Sequence, residues 1–269
     1  MTTTESRLST ESCSVEIIDG VGHVTLNQPD RGNPFDLRLN TEISLVATEM
    51  DENPDVRCVL LDAAGKYFSV GADLKAMTRD RDELPRIIKN ATAGLHVALS
   101  RFVRMDAPLV VAVHALAVGG SVALSAASDF CIAGRSAKFY AAYTGIGLVP
   151  DGGGTTFIPQ RVGLRRATEF LMRNETWTAE QACEYGLINY VVDDENLADE
   201  AWTLARQLAA GPTLAFGEIK NLFRSTWEQP IEAQMEREAR AMSRATKSDD
   251  GWNALQSVLS KHNPTFQGR

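Results

Sequence analysis

The sequence predicts a mixed α/β protein with mostly parallel strand pairing, continued by an all-helical tail. Three observations lead there. The runs VRCVLLD (56–62) and LVVAVH (109–114) are continuously apolar and β-branched, as strands covered on both faces are. Helical segments separate the strands, and crossovers of that kind lay helices against a parallel sheet. From about residue 195 the strand signal stops and four helical segments follow.

In chain order, VEII (15–18) and HVTLN (23–27) flank Gly20 and Gly22 and read as a hairpin. Residues 35–52 read as a helix with an apolar stripe of Leu37, Ile43, Val46 and Met50. After the strand at 56–62, a polar helix over 83–106 leads to the strand at 109–114. FCIAG (130–134) and NYVVD (189–193) add two short strands. The tail reads as helices over 195–210, 212–227, 230–247 and 249–262, punctuated by Gly211-Pro212, Pro230 and Gly251. The expected organisation is a core, 1–195, and a helical region, 196–269.

With 269 residues, 44% hydrophobic and 23% charged, the chain can bury a full core. A net charge of −8 argues against bulk nucleic-acid binding or adhesion to an anionic membrane, so an anionic ligand needs a local basic patch. MTTTESRLSTES lacks the apolar stretch of a signal peptide, and the apolar region 107–133 is broken by Pro108, His114, Gly119, Gly120 and Asp129. Cys13, Cys58, Cys131 and Cys183 form no CxxC pair and read as reduced thiols of a cytoplasmic protein. His23, His96, His114 and His262 show no metal-ligand spacing, and no metal is expected.

Three glycine-containing segments stand out. In GKYFSVGADLKAM (65–77) Gly71 permits a positive φ, and the Ala72 N–H can then face a pocket. The plainer reading is a β-to-α turn with Asp73 as N-cap. In HALAVGGSVALSAASDF (114–130) Gly119 and Gly120 open a small-residue helix, whose free N–H groups attract negative charge. Tight helix–sheet packing explains the same small residues. In YTGIGLVPDGGGTTFIPQRVG (143–163) Asp151 reads as the N-cap of a helix beginning at Gly152. Those glycines lack the Lys-Ser/Thr of a P-loop, and neither GxGxxG nor GxSxG occurs.

In this order and spacing the segments resemble the crotonase (enoyl-CoA hydratase/isomerase) superfamily over nearly the whole chain. NQPDRGNPFD (27–36) looks like the family's N-terminal CoA-contacting loop. FSVGADLKAM (68–77) and HALAVGGSVALSAASDF are similar to its two oxyanion-hole segments. LVPDGGGT (148–155), TAEQACEYGLINYVVDDENL (178–197) and NPTFQGR (263–269) continue the likeness. The resemblance implies a spiral of ββα units, and a helical C-terminal region that builds homotrimers, often paired into hexamers. No separate cofactor is implied; coenzyme A enters as part of an acyl-CoA thioester.

By that resemblance, the N–H groups of Ala72 and Gly120 are the donors to the thioester oxygen. Arg31 and the backbone around Ala72, Asp73, Leu74 and Lys75 contact CoA, while Lys261 and Phe266 reach CoA or a neighbouring subunit. The two glutamates of standard hydratases fall on Ala123 and Tyr143, neither of which is a carboxylic acid. Asp151 stands where hydratases carry glycine, as in isomerases of the phenylacetate-pathway type that use an Asp as proton shuttle. One base suffices to move a proton between C2 and C4, so a 3-enoyl-CoA to 2-enoyl-CoA isomerase is expected. Tyr143 lines the pocket or orients a water or substrate.

Other readings stay open at this level. An atypical hydratase would orient water through Asp151 or Tyr143. A 4-chlorobenzoyl-CoA-type dehalogenase would use Asp151 as nucleophile, but carries Trp where this chain has Tyr143. A CoA-binding scaffold would keep the hole without a base. A Clp-like serine protease would need a His partner for Ser69 or Ser121.

Overall fold

The computed structural model describes residues 3–5, 8 and 10–268, the first three as backbone only. Residues 1, 2, 6, 7 and 9 of MTTTESRLSTES and residue 269 of NPTFQGR lie outside the described residues.

The strands are β1 (Thr3–Glu5), β2 (Cys13–Ile18), β3 (Val21–Leu26), β4 (Cys58–Ala63), β5 (Leu109–Val113), β6 (Leu116–Val118), β7 (Phe130–Gly134), β8 (Lys138–Tyr140), β9 (Thr176–Thr178) and β10 (Tyr190–Val192). The first helices are α1 (Leu37–Glu52), α2 (Leu74–Met77), α3 (Leu84–Arg104), α4 (Gly120–Ala127), α5 (Gly154–Val162), α6 (Leu164–Met172) and α7 (Ala179–Glu184). The tail holds α8 (Leu197–Ala209), α9 (Thr213–Ser225), α10 (Ile231–Ala245) and α11 (Asp249–Leu259).

A seven-stranded sheet runs β1-β2-β3-β4-β5-β7-β10, antiparallel across β1–β3 and parallel from β3 onward. A second sheet pairs β6 with β8 in parallel and β8 with β9 antiparallel. The fold is a mixed α/β spiral of ββα units. β5, β6 and α4 form one turn of it, and β7, β8 and α5 the next, each sending one strand to each sheet. The turn after β4 contributes only a bridge, Ser69 beside Ala117, before its helices.

Burial on both faces explains why β4, β5 and β7 are apolar without alternation. Val59, Leu61, Val111, Val113, Cys131 and Ala133 point into the main core beneath α1, α3 and α4. Cys58, Leu60, Val110, Ala112 and Ile132 face the other way, onto Ala201 and Ala205 of α8. The first helix beyond residue 195 therefore covers a sheet face.

Asp36 caps α1, its carboxylate accepting from the Leu39 N–H at 2.9 Å. The buried stripe is Leu39, Ile43, Val46, Ala47 and Met50, whereas Leu37 is exposed. Leu37 is the first helical residue and precedes the face that meets α3. Any Cβ on Gly94 of α3 would overlap the Asn40 carbonyl of α1, so glycine permits that crossing.

α9 is tied to the core by a buried lysine. Lys220 Nζ donates to the Phe102 and Ala107 carbonyls, both at 3.0 Å, and pairs with Asp129 at 2.8 Å. Lys220→Met would strand two carbonyls and a carboxylate that has only the Leu109 N–H left. A loss of about 3 kcal/mol in denaturant unfolding is expected, with no change in ligand affinity.

Candidate active site

The site is built where the two sheets' connections run side by side. Ser69 and Ala117 are parallel partners, and the Ser69 N–H donates to the Leu116 carbonyl at 3.1 Å. Ala72 and Gly120 each follow that bridge by three residues, one in each connection. A Cβ on Gly71 would touch Val118, so the two connections remain in close contact at Gly71.

Peptide planarity aims both N–H groups. Gly71, at φ 79°, gives its carbonyl to the Phe35 N–H at 2.8 Å, which turns the Ala72 N–H the opposite way. Gly119, at φ 57° and ψ −113°, gives its carbonyl to the N–H groups of Val122 and Ala123 at the start of α4. The Gly120 N–H therefore points out of the helix N-terminus. Neither N–H has a hydrogen-bond partner among the described residues. Ala72 is exposed and Gly120 half-buried, so a ligand can approach both. Two free amides, one backed by a helix dipole, suit a developing negative charge on oxygen.

The carboxylate sits against the same glycines. A Cβ on Gly120 would lie 3.9 Å from Asp151 Oδ1, and one on Gly119 would lie 3.7 Å from the Tyr143 hydroxyl. Tyr143 donates to Asp151 Oδ1 at 2.8 Å. Burial and the adjacent carboxylate push the phenol above its usual range, so it remains a protonated donor. Asp151 does not cap α5, contrary to the sequence expectation. The helix begins at Gly154, with Gly153 in the left-handed region as N-cap and no side-chain cap bond. The half-buried carboxylate is left free to face the cleft. Ala123 is buried, with its Cβ towards Gly152 and Gly154.

A hydrogen bond to a charged acceptor is worth about 1.5–3 kcal/mol, and 1.4 kcal/mol is tenfold in rate. Tyr143→Phe is therefore expected to lower kcat by about tenfold to a hundredfold while KM stays put. Steady-state kinetics with circular dichroism as a folding control checks this.

Asn33, which sequence reading missed, holds the first loop in place. At φ 52°, its side-chain amide nitrogen donates to the carbonyls of Ala64, Tyr67 and Phe68, and its backbone carbonyl accepts from the Ser69 hydroxyl. His96 is a second such residue; its Nε2 accepts from the Gly152 N–H at 3.2 Å, next to Asp151.

The remaining expected residues divide into two groups. Arg31 bonds Asp36 and Asp73, each at 2.7 Å, on the rim beside Ala72. Asp73 caps α2 through the Ala76 N–H at 3.0 Å; that bond and Arg31 hold its carboxyl below the usual range. Leu74 and Lys75 are exposed on the same rim. Lys261 and Phe266 are not brought there within one chain. The Phe266 carbonyl is held by Arg57 at 3.0 Å, at the N-terminal end of β4, whereas the site lies beyond its C-terminal end. Lys261 is an exposed residue just after α11. The protease reading fails locally, because Ser69 and Ser121 spend their hydroxyls on backbone partners and neither meets a histidine. Among the described residues no group of His, Cys, Asp and Glu could hold a metal ion, and no helix is long and apolar enough to cross a membrane.

The chain is similar to known proteins along most of its length. Residues 16–269 match the enoyl-CoA hydratase/isomerase family model. The 1,2-epoxyphenylacetyl-CoA isomerase of Escherichia coli K12 is 34% identical over 93% of this chain and 96% of its own length. The trans-2-decenoyl-(acyl-carrier-protein) isomerase of Streptococcus mutans is 28% identical over 93% and 96%. An enoyl-CoA hydratase structure from Bacillus anthracis superposes with TM-score 0.89 at 27% identity, covering 96% of this chain and all of that one. With a family match over nearly its full length, and with its spiral fold shared by such a structure, the chain belongs to the enoyl-CoA hydratase/isomerase family of the crotonase superfamily.

Proposed function

We propose that this chain is an enoyl-CoA isomerase that converts 3-enoyl-CoA to 2-enoyl-CoA. The thioester oxygen rests between the Ala72 and Gly120 N–H groups. Asp151 takes a proton from C2; the electron pair moves onto the thioester oxygen as a dienolate, which the two amides stabilise. The proton returns at C4, the double bond moves from C3–C4 to C2–C3, and Asp151 is regenerated. Tyr143 holds the carboxylate in position. CoA enters with the substrate along the rim of Arg31, Asp73, Leu74 and Lys75.

The observation that carries this reading is the Asp151 carboxylate against Gly120 and hydrogen-bonded to Tyr143, with Ala123 and Tyr143 where a two-glutamate hydratase needs acids. The same reading has the protein working in the cytoplasm as a homotrimer or hexamer. Support comes from large apolar residues left exposed on the tail helices, among them Phe223, Met242, Trp252 and Leu259. Lys261 and Phe266 would then serve a neighbouring subunit's CoA.

Incubation of 3-hexenoyl-CoA in deuterated water tests the reaction. The expected product is 2-hexenoyl-CoA with label entering at C4 to the extent that Asp151 exchanges. Conversion of crotonyl-CoA to 3-hydroxybutyryl-CoA at a comparable rate would instead make it a hydratase, and acyl-CoA binding without turnover a scaffold.

A further inference from the structure

We propose that the preferred acyl group ends in a carboxylate, received by Arg104, Arg224 and Arg237 in a cavity beside Asp151. This rests on the acyl-CoA reading above and names the class of acyl chain. The cavity, of about 550 Å3, includes Gly152 and Gly153, the residues that follow Asp151, in its lining. It runs between α3, α5 and α9 and includes apolar wall from Leu99, Val103 and Phe157. An acyl chain that passes Gly152 on leaving Asp151 would enter this space.

The charged lining is unbalanced. Three arginines face one carboxylate, Glu228, with His96 near the Gly152 end. Among the described residues, Arg104 and Arg237 have no side-chain hydrogen bond and none of the three arginines has an ion pair; Arg224 donates only to the Val103 carbonyl at 3.2 Å and to Asn221 at 2.7 Å. Burial, then Arg104 and Arg237, pull Arg224 below the usual arginine range, as like charges brought together do. In a chain of net charge −8, three exposed guanidiniums without ion pairs, from three separate helices or their ends, line this one cavity, and an anion there would relieve their mutual repulsion. Arginine forks suit a carboxylate, and the apolar wall before them suits the methylenes that carry it.

Calorimetry with saturated thioesters tests this without turnover, using acyl-CoAs of six, eight and ten carbons, each with a methyl or a carboxylate terminus. At one length at least, the ω-carboxylated thioester is expected to bind tenfold or more tightly than its methyl counterpart. The Arg104→Gln/Arg237→Gln double variant should bring the two within twofold, with methyl-terminated affinity unchanged. The free dicarboxylate should not compete at the same concentration. Equal affinities in the wild type at every length, or a preference that survives in the variant, would overturn the proposal. So would loss of self-association by the variant without any loss of preference, which would assign the arginines to a second copy of the chain. If methyl-terminated thioesters bind and the carboxylate adds nothing, only this inference fails; if no thioester binds, the acyl-CoA reading fails with it.

Discussion

Replacing Asp151 by Asn is expected to lower kcat for isomerisation about a thousandfold, with KM within a few-fold and the melting temperature unchanged. Asparagine keeps an oxygen that accepts from Tyr143, whose hydroxyl lies 2.8 Å from Oδ1, so the local geometry survives. What is lost is the ability to carry a proton, and a positioned acid–base group contributes roughly 10²–10⁴-fold. The unchanged stability follows from the absence of any cap bond between Asp151 and α5. A kcat within tenfold of wild type would remove Asp151 from the chemistry. A large drop in melting temperature would show that the carboxylate's work is structural.

Gly120→Pro should cost a further kind of activity, about 10²–10³-fold in kcat, by deleting one amide donor. Gly120 is the first residue of α4, a position where proline is tolerated because its N–H has no helical partner. Nothing crowds the Cβ there, the nearest atoms being Leu95 Cδ2 at 3.6 Å and Phe35 Cδ1 at 3.7 Å. The fold should therefore persist by circular dichroism while turnover collapses. Retained turnover would mean that the thioester oxygen rests elsewhere.

The large sheet was readable because β4, β5 and β7 are buried on both faces and their composition reports it directly. The small sheet was not. β6, β8 and β9 have three residues each, too short for a periodic pattern, and they exist because neighbouring turns of the spiral pair them. Leu37 was misplaced: the buried stripe begins two residues later at Leu39, about 200° around the helix, which puts Leu37 on the outer face. Asp151 had the sequence setting of a cap, and only the left-handed Gly153 shows that the chain makes its own turn two residues later. The glycines at 71 and 119–120 marked both amide loops. Asn33 carried no comparable signal, because its partners at Ala64, Tyr67 and Phe68 lie more than thirty residues away. The arginine cavity was equally silent: Arg104, Arg224 and Arg237 look like ordinary surface charges until three helices bring them to one space.

A crystal structure with a non-hydrolysable acyl-CoA analogue bears on the account most directly. The thioester carbonyl oxygen is expected about 2.7–3.1 Å from the backbone nitrogens of both Ala72 and Gly120, the usual reach of an oxyanion donor pair. Placement of that oxygen against a side chain, or with only one of the two nitrogens in range, would contradict it.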